Sequence, residues 1–569
     1  MKFSFTLLTC FLFFSTLNAQ YQPKNISKEE IKKANDWVNN TYQNLSQDEK
    51  LGQLFIIALY TNKGEDYIDN VRNIIVKDKI GGLILMQDDA VREIELLNEF
   101  QAKVKVPLLI GMDAEWGLFQ RIKTAYKFPW ALTLGAIQDK KLIHEMSAKI
   151  ADDAKRMGVN WDFAPSVDVN TNPNNPIIGN RSFGSDVDNV VKSAYAYSYG
   201  LQDHNVLAAI KHFPGHGDTD TDSHYDLPVV NHSLEHLNKT ELAPFKALMD
   251  QGIGGVMVAH LYVPALEKGK NIPASISKSI ITDLLKKQYG YKGLIITDAL
   301  NMGAVAKRYQ PGELDALAFK AGNDIMLFSE GVSEGKKRIQ KAIDQGEISQ
   351  KRLEESVKKI LLTKYYLGLN KYDIINPEGV NEYINNDSHK TLGQKLYANA
   401  LTLLKDEKKL LPLQCNETYY YVGLEEAPLD TFKNKLNIGT TLIQKSPMDI
   451  NTIPNGSKII IGIHKDNSTA YKPFKISEES KSIIKKLSQN NEVILNIFGS
   501  PYALIDLDIK NISTVLVSYE NNEDSMIATA SSYLGHHTIN GKLPVVVNEE
   551  IPYGMGITLE KTSTETEKK

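Results

Sequence analysis

The feature that most narrows what this 569-residue chain can fold into is an alternation that runs from residue 50 to about residue 330. Short apolar runs of strand length take turns with longer segments, several of them amphipathic at a period near 3.6 residues. The runs are Leu54–Leu59, Gly82–Met86, Leu108–Met112, Val159–Val167, Val206–Lys211, Gly255–His260, Leu294–Asp298 and Asp324–Phe328. Helical periodicity marks Lys141–Met157, Glu235–Asp250, Lys278–Gln288 and Glu313–Ala321 between them. Most runs are apolar on both faces, as in a parallel sheet covered on both sides. Eight such units fit a (β/α)8 barrel. A doubly wound sheet fits the same pattern, and periodicity alone does not separate the two.

The remainder divides around this block. Lys2, the apolar run Phe3–Leu17 and Asn18-Ala19-Gln20 have the layout of a secretory signal segment, residues 1–19. The run is shorter than the roughly 20 apolar residues that span a bilayer, and no later stretch is long and apolar enough. Export to the periplasm or beyond is therefore expected, with no integral membrane segment once the signal is removed. Cys10 lies inside the apolar run, which argues against a lipoprotein box; a cut after Ala19 leaves Cys415 as the one thiol. The barrel is expected over 20–375, ending in the amphipathic helix Ile348–Leu369. A polar stretch, Asn370–Ser388, contains the linker 376–388. A smaller α/β domain follows over 389–559, with helix Thr391–Leu404, strands Tyr419–Val422, Lys458–Ile463, Val493–Phe498 and Thr514–Ser518, and helices Ser477–Leu487 and Asp524–Leu534. The polar tail 560–569 is expected to be disordered.

Two cysteines exclude a disulfide scaffold or a Cys-rich zinc module. A net charge of −4 argues against a surface built for nucleic acid. Chemistry is concentrated where apolar runs end: Asp113, Lys211-His212, His260 and Asp298 each close a strand, and the C-terminal strand ends of a barrel face its active site.

The densest segment is Lys211-His212-Phe213-Pro214-Gly215-His216-Gly217-Asp218-Thr219-Asp220-Thr221-Asp222-Ser223-His224. It reads as a solvated loop, as a metal site made by His212, His216, His224 and a carboxylate, or as an acid/base device. In the last reading Asp222 orients the imidazole of His224, which both gives and takes a proton near neutral pH, and Gly215 and Gly217 let the loop move over a substrate. Asp298, at the end of an apolar strand, reads as a carboxylate nucleophile or as the cap of the next helix.

The Lys-His-Phe-Pro-Gly-His-Gly run followed by Asp222-Ser223-His224 closely resembles the β-N-acetylglucosaminidase branch of glycoside hydrolase family 3. Other segments agree in order and spacing: Gly52-Gln53-Leu54-Phe55; Asp113-x-Glu115-x-Gly117 with Arg121; Phe163-Ala164-Pro165-x-x-Asp168-Val169; Ile178-Gly179-x-Arg181-Ser182-Phe183-Gly184; Pro273-Ala274-Ser275; and Asp298-x-Leu300-x-Met302. The resemblance covers residues 45–370 well. It is looser afterwards, through Ala400-Leu401-x-Leu403-Leu404 and Gly541-Lys542-Leu543-Pro544. It implies a barrel followed by an α/β sandwich and a retaining mechanism through a covalent glycosyl-enzyme. Asp298 matches the nucleophile, His224 the loop-borne general acid/base and Asp222 its dyad partner. Asp113, Arg121, Arg181, Lys211 and His212 match the residues that hold the terminal sugar. Retaining glycosidases usually pair two carboxylates; here a His-Asp dyad replaces the second. Trp116-Gly117-Leu118 stands where the family pattern has Gly-Gly-Arg, so contacts beyond the terminal sugar are expected to differ.

The function expected is exo-hydrolysis of terminal β-linked GlcNAc from peptidoglycan fragments or chito-oligosaccharides, with no cofactor, no metal and no nucleic-acid partner. The alternatives are a β-glucosidase or xylosidase, a phosphorylase using the same residues, a non-catalytic wall-glycan binder and a metallohydrolase. The sequence leaves the oligomeric state open.

Overall fold

The structure is a computed structural model and describes residues 22–562, apart from residues 24, 25, 88, 427–429, 438, 439, 467, 468 and 470–472. The expected signal segment and residues 563–569 of the expected tail lie outside the described residues.

Eight parallel strands make the first sheet: β1 (Phe55–Leu59), β2 (Gly82–Leu85), β3 (Leu109–Met112), β4 (Trp161–Asp162), β5 (Leu207–Phe213), β6 (Gly255–Val258), β7 (Leu294–Thr297) and β8 (Met326–Leu327). Their order is β7-β6-β5-β4-β3-β2-β1-β8, and a parallel bridge between Ile296 and Ile325 carries the last strand back to β7. This nearly closed ring is a (β/α)8 barrel, and it removes the doubly wound alternative. Every strand residue is buried, and each such Leu, Ile or Val is worth about 2 kcal/mol when fully buried. The chain therefore shows unbroken apolar runs instead of alternation.

Three expected elements differ in detail. The run Val159–Val167 supplies a strand only at Trp161–Asp162. Pro165 within the run has no N–H for a ladder, and beyond it the pairing with the next strand is reduced to a single parallel bridge between Ser166 and Lys211. The helix expected over Glu235–Asp250 is two helices, Leu234–Lys239 and Ala243–Asp250. Pro244, in the first turn of the second, cannot donate the bond that would continue the first. The helix expected over Lys278–Gln288 is present as Ser279–Gln288 but is wound wider, closing with a bond from Tyr289 N–H to Leu284 C=O.

The second sheet has six strands: β9 (Thr402–Asp406), β10 (Thr418–Glu425), β11 (Thr441–Lys445), β12 (Lys458–His464), β13 (Glu492–Phe498) and β14 (Thr514–Val517). The order is β11-β10-β12-β13-β14-β9, parallel except for β9 against β14. Alternate strand residues face opposite ways. Ile459, Ile461 and Leu495 pack with helix Glu478–Ser488, whereas Ile460, Ile494 and Leu516 pack with helix Glu523–Tyr533. The result is an α/β sandwich. The preceding helix is Asp387–Ala400, not Thr391–Leu404, because the chain leaves helical geometry at Leu401 (φ −49°, ψ 123°) to begin β9.

The two layers are joined by buried contacts that reach the site. Glu520, in the loop after β14, accepts from Trp130 N–H and Thr133 Oγ1, both at 2.8 Å, and from Tyr397 OH at 3.1 Å. Gly184 lies so close to the second domain that a Cβ there would sit 2.1 Å from the Pro544 carbonyl oxygen. This explains a glycine at the end of the Arg181-Ser182-Phe183-Gly184 segment.

Candidate active site

The C-terminal ends of the barrel strands open into a pocket of about 540 Å³. Seven of the eight residues singled out from the sequence line it: Asp113, Arg121, Arg181, Lys211, His212, His224 and Asp298. The eighth, Asp222, stands behind His224.

One wall is an ion network. Asp113, which follows β3, accepts from Lys211 Nζ at 2.8 Å and from Arg121 Nη2 at 2.5 Å. Lys211 Nζ also lies 2.8 Å from Glu115 Oε1. Arg181 clamps the Glu115 carboxylate with Nε at 2.9 Å and Nη2 at 2.7 Å. Three cations thus hold two carboxylates in fixed positions, with the paired fork geometry that favours arginine over lysine. Burial alone would raise both acids, but the cations outweigh it. Lys211 and Arg121 hold Asp113 well below its ordinary range, and Arg181 and Lys211 bring Glu115 to about 2. Burial would lower Lys211, but Asp113 and Glu115 raise it above its ordinary value.

His212 has its tautomer set by its neighbours. Arg181 Nη2, which only donates, lies 3.1 Å from His212 Nε2, so that nitrogen accepts. Nδ1–H is left to donate to Asp168 Oδ2 at 2.7 Å. Asp168 is fully buried and also accepts from Ser166 Oγ at 2.8 Å and from His216 N–H at 2.7 Å. His216 itself turns away to Thr219 Oγ1 at 2.7 Å, and burial lowers its pKa to about 4.

Asp298 stands directly after β7, with its own N–H bonded to Val258 C=O on β6. Its Oδ1 accepts from Ala299 N–H at 2.8 Å. Burial would raise its carboxyl, but His212, His260, the Ala299 N–H and Lys211 outweigh this and hold it below the ordinary value. His260, at the end of β6, is fully buried between Ser275 Oγ (2.7 Å) and Ala299 C=O (3.0 Å). It supports the turn that follows Asp298.

The loop after β5 carries His224. Its Nδ1 lies 2.7 Å from Asp222 Oδ1, and the same oxygen accepts the His224 backbone N–H at 2.8 Å. Nε2 is left without a protein partner among these contacts, on a half-exposed ring at the pocket edge. The loop is moored to the segment beyond Asp298: Gly303 N–H bonds to His224 C=O at 3.2 Å, and Lys307 Nζ to Tyr225 C=O at 3.0 Å. At the loop base, a Cβ on Gly217 would lie 1.8 Å from the Val169 carbonyl oxygen. This glycine serves close packing, whereas the sequence suggested loop mobility.

His212, His216 and His224 each face a different partner, and the one group of three possible ligands gathered together among the described residues is His232, His236 and Glu241. Trp116 packs on Trp130 with ring centroids 4.1 Å apart, and both line the pocket. Thr469 of the second domain also lines it. Glu115 and Asp168 belong to the site as the acids that fix Arg181, Lys211 and His212. Both appeared in the sequence within the segments that carry the family resemblance, and an acid two residues after Asp113 was the available signal for Glu115.

A sequence model of the Glycosyl hydrolase family 3 N terminal domain matches residues 46–363. The Beta-N-acetylglucosaminidase/beta-glucosidase of Cellulomonas fimi is 28% identical over 385 residues, 66% of this chain and 68% of that protein. The structure of a glycoside hydrolase family 3 beta-N-acetylglucosaminidase from Paenibacillus sp. str. FPU-7 superposes with TM-score 0.72 at 28% identity, covering 89% of this chain and 99% of that one. Beta-glucoside phosphorylase BglX superposes with TM-score 0.76 at 25% identity, covering 94% of this chain and 98% of that one.

Proposed function

The chain belongs to glycosyl hydrolase family 3, and from that membership we propose that it is an exported, retaining exo-β-N-acetylglucosaminidase acting on terminal β-linked GlcNAc of peptidoglycan fragments or chito-oligosaccharides. The observation that carries the reading is the Asp222–His224 dyad at the edge of the pocket that also holds Asp298. Asp298 attacks the anomeric carbon and forms a glycosyl-enzyme; its depressed pKa keeps it ionised for that step. His224 Nε2–H protonates the leaving oxygen while Asp222 holds Nδ1–H and steadies the imidazolium. The neutral imidazole then takes a proton from water, which releases the sugar with its configuration retained. Asp113, Arg121, Lys211, Arg181 and His212 present fixed donors and acceptors to the hydroxyls of the terminal sugar.

Phosphorolysis is the second reading, favoured by the likeness to the β-glucoside phosphorylase over most of the chain. An imidazole in place of a second carboxylate leaves less negative charge in the path of an incoming phosphate. One assay separates these readings: p-nitrophenol release from the β-GlcNAc and β-glucose glycosides, in phosphate-free and phosphate buffers. The proposal expects the GlcNAc glycoside to be cleaved without phosphate. Good activity on the glucoside with none on the GlcNAc glycoside contradicts it, and a requirement for phosphate assigns the chain to the second reading.

A further inference from the structure

Outside the pocket, the fold brings together a set of side chains that neither the ion network nor the dyad uses. His232 and His236 are four residues apart at the start of helix Leu234–Lys239, with their rings stacked at 4.2 Å between centroids and 28° between planes. Glu241 follows where the expected long helix breaks, and the break turns its side chain inward; the residue is only 4% exposed. One ligand atom from each of the three lies within 4.8 Å of the others.

The second observation is a polar deficit. Neither Glu241 carboxylate oxygen has a hydrogen-bond partner, and neither does His236 Nε2, although all three atoms are shut off from solvent. His236 Nε2 and Glu241 Oε1 face each other at 3.3 Å. The His236 ring as a whole is partly exposed, so this nitrogen is buried because it points toward the acid. A buried polar atom left unpaired costs about 1–3 kcal/mol, and an ionised one more. A cation placed between His236 Nε2 and the Glu241 carboxylate would give these atoms the partner they lack.

We propose that His232, His236 and Glu241 bind a divalent transition metal, and that the ion is zinc. Two imidazoles and a carboxylate are a donor set that zinc accepts, with a position left for water or a fourth protein oxygen. Calcium and magnesium prefer sites made of oxygen alone. The site lies apart from the catalytic pocket but is joined to its loop. Asp218, six residues before His224, lies 2.6 Å from His232 Nε2 through Oδ2. A carboxylate on a ligating histidine is the usual outer partner of such sites. Zinc bound here therefore fixes the base of the loop that carries the dyad, a positioning role and not a catalytic one. The inference does not depend on the sugar that the pocket accepts.

The test uses the mature full-length protein, stripped with EDTA, dialysed free of the chelator and titrated calorimetrically with zinc sulfate. Metal content is measured in parallel on protein purified with zinc. The expected result is one zinc per chain and a rise in melting temperature on binding. His236→Ala should abolish the stoichiometric site, whereas Asp218→Asn should weaken it by about 10-fold or more. His224→Ala should bind zinc as the wild type does. His236 is partly exposed, so its metal-free alanine variant should melt with the metal-free wild type, which separates a lost ligand from a lost fold. No zinc bound, an undiminished site in His236→Ala, or a site lost in His224→Ala would each overturn the proposal.

Discussion

Asp222 Oδ1 accepts two hydrogen bonds from His224, one from ring Nδ1 at 2.7 Å and one from the backbone N–H at 2.8 Å. The double contact fixes both where the ring is attached and which nitrogen carries the inward proton. Nε2 is left for the substrate in the proposed mechanism. The dyad sits on a loop of which Ser223 is buried and His224 exposed, so the chain is anchored one residue away from the group proposed to reach the substrate.

In the proposed mechanism His224→Ala removes the acid that assists departure. Cleavage of substrates with poor leaving groups should fall by about 10²–10⁴-fold, and cleavage of activated aryl glycosides much less in the first step. Comparing kcat/KM on chitobiose and on a nitrophenyl glycoside checks this. Equal losses on both would contradict the acid role.

Glu115→Gln keeps the shape of the side chain but removes the charge that faces Arg181 and Lys211. Removing one partner of a buried ion cluster costs about 3–5 kcal/mol. The Tm should therefore drop measurably and KM should rise, since both cations lose their anchor. An unchanged melting curve would show that the network contributes little.

Asp162 is buried beneath the network, with Oδ1 accepting Ala114 N–H at 2.9 Å. Burial, with repulsion from Asp113 and Glu115 added, raises its carboxyl from 3.8 to about 7, against the partly offsetting Ala114 N–H and Lys211. An acid raised in the folded state stabilises the fold fully below its unfolded pKa and loses that contribution as pH rises through the folded value. Relative to Asp162→Asn, the wild type should thus lose a few kcal/mol between about pH 4 and pH 7. Denaturant midpoints of the two proteins across that range test the sign; a difference independent of pH would refute it.

Gly217→Ala places a methyl group where the Val169 carbonyl stands. The loop base has to move, and kcat should fall with the dyad residues intact, by about 10-fold or more for a displacement near 1 Å. Steady-state kinetics with a circular-dichroism control for folding measures this, and full activity in the variant would contradict it.

Much of the site was legible because barrel strands end in it. Asp113, Lys211, His212, His260 and Asp298 each close an apolar run, and the ring brings those ends together. Arg121 and Arg181 were legible only through resemblance, since neither follows a strand. Glu115 and Asp168 were passed over as site residues because their role is to hold other side chains, and no spacing rule reveals a partner 66 residues away, as Arg181 is from Glu115. In the second domain, β11 was missed because most of its residues are exposed and its apolar run is only Leu442-Ile443. The start of β9 was read as helix because Leu401, Leu403 and Leu404 continue the helical stripe of the preceding segment. The pairing of His236 with Glu241 was hidden by the helix break before Pro244.

Asp298 is proposed to carry the sugar between two steps that His224 assists. Asp298→Asn should lower turnover by roughly 10⁴-fold or more, but the most direct measurement uses His224→Ala. With the water-activating base gone, an aryl β-N-acetylglucosaminide should load the enzyme faster than water unloads it. Intact-protein mass spectrometry after an acid quench should then show a gain of one N-acetylhexosaminyl residue, mapped by peptide sequencing to Asp298. Aryl alcohol released with no adduct on the protein, or an adduct on another residue, would contradict the account.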